Sequence, residues 1–174
     1  MAKTGKQVQG DIYRLLRDSS LYLRISGEVY RYGYRPRDSR KEDATVRFTT
    51  GMPDQIQTGV VTVNIFVPDI DPDDNGTWVE NGERTEQLEK LAQDWVDSLT
   101  AEVSCYRFKL AQTIDTFEEP SIRQHFVCVK LKYEYFGEDD APLGIPQDGF
   151  LTVTLTTEDG RGLTVTPNEK KSNH

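Results

Sequence analysis

The sequence predicts an α+β fold in which two helices pack on one face of a mostly antiparallel sheet of four to five strands. Two segments repeat apolar residues at helical spacing, and the segments that follow each of them alternate apolar and polar residues as half-buried strands do. Short connections within each strand pair favour antiparallel neighbours. Two helices on one face of such a sheet would bury every apolar stripe in a single core.

The first amphipathic helix is predicted over residues 6–18. Its apolar residues recur at i, i+4, i+7 and i+8, namely Val8, Ile12, Leu15 and Leu16. An aromatic-rich segment, Val29–Tyr32, follows between two glycines and is expected to form a strand. The stretch from Tyr34 to Asp43 contains a proline and several cations, which predicts a long exposed loop.

A β-hairpin is predicted in the next segment. Val46 and Phe48 alternate with polar residues, and the same alternation is stronger over residues 61–67. Turn-forming residues at 51–54 connect the two runs, and Pro68 ends the second one. An antiparallel pair is therefore expected.

The second helix is predicted from apolar residues at i, i+3, i+4, i+7 and i+11, which are Leu88, Leu91, Ala92, Trp95 and Leu99. Trp95 lies in the middle of this stripe and is expected to be buried against the sheet. Alternation over residues 106–110 and 126–135 predicts two further strands, the second of them long.

The chain is expected to comprise three parts. Residues 1–136 are expected to form the α+β domain. Residues 137–149 are rich in acidic residues, proline and glycine, which indicates a linker, and residues 150–174 are expected to form a C-terminal β-hairpin extension and tail. The hairpin is predicted from Leu151, Val153 and Leu155 with Leu163 and Val165. A two-stranded hairpin is marginal in water by itself, so the extension is expected to dock on another surface.

Composition excludes several classes of function. The chain has 174 residues and a net charge of −8, which argues against wrapping nucleic acid. No apolar run reaches the roughly 20 residues of a membrane span, and the first residues lack the apolar region of a secretory signal. A cytosolic protein without a membrane partner is therefore expected. Two cysteines, Cys105 and Cys128, are too few for a disulfide framework.

No catalytic set is recognisable in the sequence, so no catalytic residue and no cofactor are assigned. If His125 and Cys128 share a strand, a spacing of three residues places them on opposite faces, which removes the obvious nucleophile–base pair. A hydrolase remains an alternative that would have to use His125 with unidentified partners. Neither a Walker loop nor a dinucleotide-binding glycine turn is present.

The segment that begins at Asp71 resembles the first half of a calcium-binding EF-hand loop, with weak candidate ligands at Asp71, Asp73 and Asn75. The twelfth position holds Gly82 instead of the bidentate glutamate, and a strand pattern precedes the loop instead of a helix. A hydrogen-bonded surface turn is the favoured interpretation, and a calcium-binding interaction module is the alternative.

Charge is segregated along the chain. One candidate interface is a basic loop and the other is an acidic segment, with Tyr34, Arg35, Arg37, Arg40 and Lys41 in the first and Asp69, Asp71, Asp73 and Asp74 in the second. Tyrosine and arginine are favoured anchors of protein interfaces, so a protein contact is the preferred interpretation of the loop. A solvated loop and direct contact with nucleic acid are the alternatives.

Four short motifs, taken with the order of elements, resemble bacteriophage tail terminator proteins, also called tail completion or head-tail joining proteins. The motifs are Gln7-x-x-x-Asp11-Ile12-Tyr13, Ile25-Ser26-Gly27-Glu28-Val29-Tyr30, Arg35-Pro36-x-Asp38-Ser39-x-x-Glu42-Asp43 and Gly59-Val60-Val61-Thr62-Val63-Asn64-Ile65-Phe66-Val67. The resemblance spans about residues 6–137 and does not reach the C-terminal extension.

This resemblance implies a small structural subunit without catalytic activity. Such subunits form a ring, usually hexameric, on the last ring of the tail tube, where they halt tube polymerisation and present a surface to the head connector. The implied partners are copies of the chain, the tail tube protein and a connector or neck protein, and DNA may pass through the ring without sequence-specific contact. The implied location is the tail or neck of the virion, and a neck or head-closure protein is the nearest alternative.

Overall fold

A computed structural model describes residues 2–102, 105–137, 153–156 and 162–165. The chain divides into two compact units, Met1–Asp139 and Asp140–His174. This division falls inside the segment predicted as a linker, whose residues 138–149 lie outside the described part of the chain. The first unit contains two helices and a mixed six-stranded sheet, which confirms the α+β fold class.

In the first unit, each helix is followed by three strands, one more after the second helix than the sequence predicted. Its elements are α1 (Gly5–Arg17), β1 (Val29–Arg31), β2 (Ala44–Met52), β3 (Gln57–Pro68), α2 (Gly82–Glu102), β4 (Tyr106–Leu110), β5 (Asp115–Glu119) and β6 (Gln124–Tyr135). Short 3₁₀ turns lie at Tyr22–Arg24 and Pro120–Ile122.

The sheet has the strand order β1-β2-β3-β6-β4, and β5 pairs with the part of β6 that β4 leaves free. β1 runs parallel to β2, and the other pairs, including the predicted β2–β3 hairpin, are antiparallel. The expectation of four to five strands was wrong. β5 was missed because its sequence, Asp-Thr-Phe-Glu-Glu, has almost no apolar alternation, and it is a strand only through its pairing with β6.

α1 begins at a capping box. The Gln7 amide donates to the Thr4 hydroxyl, and the Thr4 amide donates in return to the Gln7 side chain, over 3.4 and 2.8 Å. Three residues of the predicted stripe, Val8, Ile12 and Leu16, are fully buried. The predicted first helix is therefore confirmed to within one residue at each end.

α2 buries the stripe that the sequence predicted. Leu88, Ala92 and Leu99 are buried, and Trp95 is 3% exposed. The indole N–H of Trp95 has no hydrogen-bond partner among the described residues, so the ring is held by apolar contact alone. Burial of Trp95 in the core is confirmed.

Both helices cover the same face of the sheet. Along β3, alternate residues Val61, Val63, Ile65 and Val67 point into the core and are at most 2% exposed. The residues between them, among them Thr62, Asn64 and Phe66, are partly exposed on the opposite face. We call this second surface the open face, because no described helix of this unit lies on it.

In the second unit, Val153–Thr156 and Gly162–Val165 form an antiparallel hairpin, here β7 and β8. Val153 pairs with Val165 and Leu155 with Leu163, so the hairpin forms from residues that the sequence assigned to it. Leu151, the remaining residue of that prediction, lies outside the described residues.

Candidate functional site: the open face of the sheet

Strand register arranges the side chains of the open face in rows that cross the sheet. One row is aromatic, because Phe66 on β3 pairs with Phe126 on β6, which pairs with Phe117 on β5. Neighbouring ring centroids in this row lie 5.7 and 5.8 Å apart. Phe117 is 43% exposed, so the row forms an apolar surface that is open to solvent at its Phe117 end.

Four cations lie on the same face, farther along the strands, and we call them the basic patch: Arg47, Lys109, Lys130 and Lys132. Arg47 and Lys130 flank Thr62 in one row, and Lys132 and Lys109 are direct partners in the next row. None of the four forms an ion pair with a carboxylate of the described residues. Like charges directly opposite each other destabilise a sheet, so repulsion between Lys109 and Lys132 lowers the stability of a subunit that has no partner bound at this face.

A groove of about 670 Å³ lies between the aromatic row and the basic patch. Phe66 and Phe126 line it on one side and Arg47 and Lys130 on the other. Asn64 also lines it, and the Oδ1 atom of Asn64 is buried without a hydrogen-bond partner in the described part of the chain. The groove combines apolar contact with positive charge, a combination that suits an acidic macromolecular surface with apolar residues.

Arg35, predicted to be an interface residue, is instead held inside the fold. Its Nε donates to Asp43 Oδ2 over 3.0 Å, and its Nη2 donates to Gln124 Oε1 over 2.8 Å. Its guanidinium also lies 4.1 Å from the centroid of the Phe66 ring. Burial lowers the pKa of Arg35, although Asp43 opposes the shift. The side chain is 8% exposed, which leaves little of it for a partner.

The other residues of the basic loop differ in their contacts. Arg40 donates to the Ile122 carbonyl over 2.7 Å and lies above the Trp78 ring, so it anchors the loop. Tyr34, Arg37 and Lys41 are exposed, and their side chains have no hydrogen bond or ion pair within the described residues. Arg37 also lines the groove, so it joins the positive charge of the open face.

The acidic segment forms a hydrogen-bonded turn. The Asp71 carboxylate accepts from the amides of Asn75 and Gly76 over 3.1 and 2.7 Å, and Asn75 Oδ1 accepts from the Thr77 amide. Asp73 and Asp74 are exposed. Within the described residues, no group of three or more histidine, cysteine or acidic side chains is positioned to hold a metal ion. Asp71 and Asn75 therefore form the hydrogen bonds of a surface turn.

Asp69, the remaining residue of that segment, contacts His125. The two side chains meet at 2.6 Å, between Asp69 Oδ1 and His125 Nδ1. Cys128 lies on the open face, and His125 lies on the side of the helices, as the spacing indicated. Burial raises the pKa of the Cys128 thiol, which disfavours the nucleophilic thiolate.

The outer side of α2 carries the opposite charge to the open face. Its exposed carboxylates, which we call the acidic stripe, are Glu83, Glu86, Asp94 and Asp97. Lys90 is the single cation among them. The buried side of α2 faces the sheet, so the acidic stripe and the basic patch lie on opposite sides of the first unit.

Sequence reasoning missed the basic patch. A signal was present in the alternating cations of Arg107-x-Lys109 and Lys130-x-Lys132, each next to inward apolar residues. The alternation assigns these cations to the solvent side of their strands, but only the register shows that Arg47 and Lys109 lie in neighbouring rows with the other two.

None of the described helices is long and apolar enough to cross a membrane. No protein-family model matches the chain, and no curated protein matches its sequence.

Proposed function

We propose that this chain is a structural assembly protein that forms a homo-oligomeric ring and terminates a bacteriophage tail tube. The observation that carries the proposal is the open face, with four cations that lack carboxylate partners in a chain of net charge −8. Unpaired cations grouped on one sheet face form a surface for an acidic macromolecular partner. The motifs that resemble tail terminator proteins supply the identity of the assembly.

The remaining features of the first unit agree with an assembly role. Among the described residues, the side-chain hydrogen bond of His125 goes to Asp69 and not to a serine, threonine or cysteine nucleophile. The groove is lined by the sheet surface and a loop, which suits a protein segment better than a small substrate. Exposed Arg37 extends this surface, because it also lines the groove.

In the proposed assembly, copies of the chain form the ring, which binds the last ring of tail tube protein and presents its other side to the head connector. The proposed location is the tail or neck of the virion, and DNA passes through the ring. Unlike surfaces on one subunit generate head-to-tail contacts, which close into rings when the rotation between subunits permits.

The test is whether the purified chain stops growth of a tail tube. The cognate tail tube protein is polymerised alone and with the chain in excess, and tube lengths and ends are measured by electron microscopy. We expect short tubes with an added ring at one end. Tubes of unchanged length and bare ends would contradict the proposal, and binding to the connector without binding to the tube would favour a neck protein.

A further inference from the structure

We infer that the basic patch of one subunit binds the acidic stripe of α2 on a second copy of this chain. The inference rests on the proposed function, and it names the two surfaces through which the ring assembles. It differs from the sequence prediction, which placed a protein contact on the basic loop of residues 34–41.

The acidic stripe runs along one side of α2, with Lys90 in its middle. Its members lie at positions 83, 86, 94 and 97, and these steps of three, eight and three residues return to the same side of a helix. All four residues are exposed, whereas Leu88, Ala92 and Trp95 on the other side of the helix are buried. At 1.5 Å of rise per residue, the stripe is about 21 Å long.

The basic patch has a matching extent and charge. Arg47 and Lys109 at its ends are separated by three strand spacings and by two residues along the strands, about 16 Å in all. Four cations would face four carboxylates and Lys90, so the two surfaces carry net charges of opposite sign. A carboxylate placed between Lys109 and Lys132 would relieve the repulsion of that pair, so the free subunit already favours such a partner.

The position of the two surfaces determines the kind of assembly. Because they lie on opposite sides of the first unit, two copies that share one contact still leave one surface of each unused. Each added copy repeats the same head-to-tail contact. Six copies would close a ring if each were rotated by about 60° from the last, and other rotations would give a different ring or an open filament.

A protein partner is favoured over nucleic acid by the charge of the whole chain. A net charge of −8 and the acidic stripe repel a polyanion at long range, whereas the same carboxylates complete the contact when the partner is another copy. The apolar row of Phe66, Phe126 and Phe117 beside the patch also offers contact area to a second protein.

The test uses charge reversal of each surface in the full chain. The patch variant is Lys130→Glu with Lys132→Glu, and the stripe variant is Glu86→Lys with Asp94→Lys. Each variant alone should associate about tenfold or more weakly than wild type in sedimentation velocity, because the patch variant has no net charge on its patch and the stripe variant has a positive stripe, so attraction is lost at every contact. An equal mixture of the two should recover assembly, since half of the contacts in an alternating oligomer join two wild-type surfaces, and in the other half the reversed side chains of one variant meet those of the other.

A matched control changes the net charge by the same amount as the patch variant, but at other positions. Lys6→Glu with Arg24→Glu alters two exposed cations outside both surfaces and should assemble as wild type does. The melting temperature of each variant verifies its fold, and the patch variant should be no less stable than wild type, because Lys132→Glu turns a like-charged pair into an attractive one.

The outcomes separate the inference from the proposed function. A wild-type chain that stays monomeric and does not cap tubes contradicts the proposed function. A wild-type chain that assembles while the patch variant assembles equally well, or a mixture that fails to recover assembly, overturns the inference alone. Unchanged assembly of the patch variant with loss of binding to a fluorescent single-stranded oligonucleotide would overturn it in favour of a nucleic-acid surface.

Discussion

Replacing Arg35 with alanine should destabilise the protein strongly, although the residue belongs to a loop that the sequence predicts to be exposed. The ion pair between Arg35 and Asp43 is nearly excluded from water, with side chains that are 8% and 2% exposed. The substitution leaves the Asp43 carboxylate buried with acceptor capacity unfilled and deprives Gln124 Oε1 of its donor. Loss of one partner from a buried ion pair costs about 3–5 kcal/mol.

The measurement is urea unfolding followed by circular dichroism. With a denaturant slope of about 2 kcal/mol per molar, the midpoint should fall by about 1.5–2.5 M. Arg37→Ala, an exposed change in the same loop, should alter the free energy of unfolding by no more than about 0.5 kcal/mol. An Arg35→Ala variant as stable as the Arg37→Ala control would refute the assignment of Arg35 to the interior.

Three further predictions concern the core, pH and calcium. Trp95→Ala should cost about 3–5 kcal/mol in urea unfolding, and Trp95→Phe should cost clearly less, because the indole N–H has no partner to lose; equal costs would contradict this account. Burial opposes ionisation of Asp11, but hydrogen bonds from Lys3 and Tyr106 prevail and lower its pKa, so its contribution to stability is complete above about pH 4 and lost as the pH falls below that value. Asp11→Asn should therefore flatten the acid limb of a stability–pH curve, and an unchanged limb would argue against the ion pair. Millimolar calcium should leave the melting temperature unchanged, whereas a rise that Asp71→Ala abolishes would reveal a cation site in the turn.

Local patterns predicted the elements that bury an apolar stripe. α1, α2 and the β2–β3 hairpin follow from spacings within a single segment, and each was confirmed with its buried side as expected. β5 could not be predicted in this way, because its pairing partner on β6 decides its conformation and its own residues are mostly polar.

The candidate site depended on contacts between distant residues, so the sequence predicted only part of it. Arg35 was assigned to the surface because its partners Asp43 and Gln124 lie 8 and 89 residues away, beyond any local pattern. The basic patch was missed for the same reason, since four strands contribute to the rows in which Arg47 and Lys109 lie. The sequence showed a different segregation, between the basic loop and the acidic segment, whereas the placement of the basic patch and the acidic stripe on opposite sides of one unit follows only from the fold.

The central claim is self-assembly through oppositely charged surfaces, and sedimentation velocity of the full chain at two salt concentrations tests it most directly. At about 0.05 M salt, where charge interactions extend beyond about 10 Å, we expect one discrete species of several subunits. At about 0.5 M salt, screening should shift the chain towards smaller species. A chain that sediments as a monomer at both salt concentrations and at every protein concentration would contradict the claim.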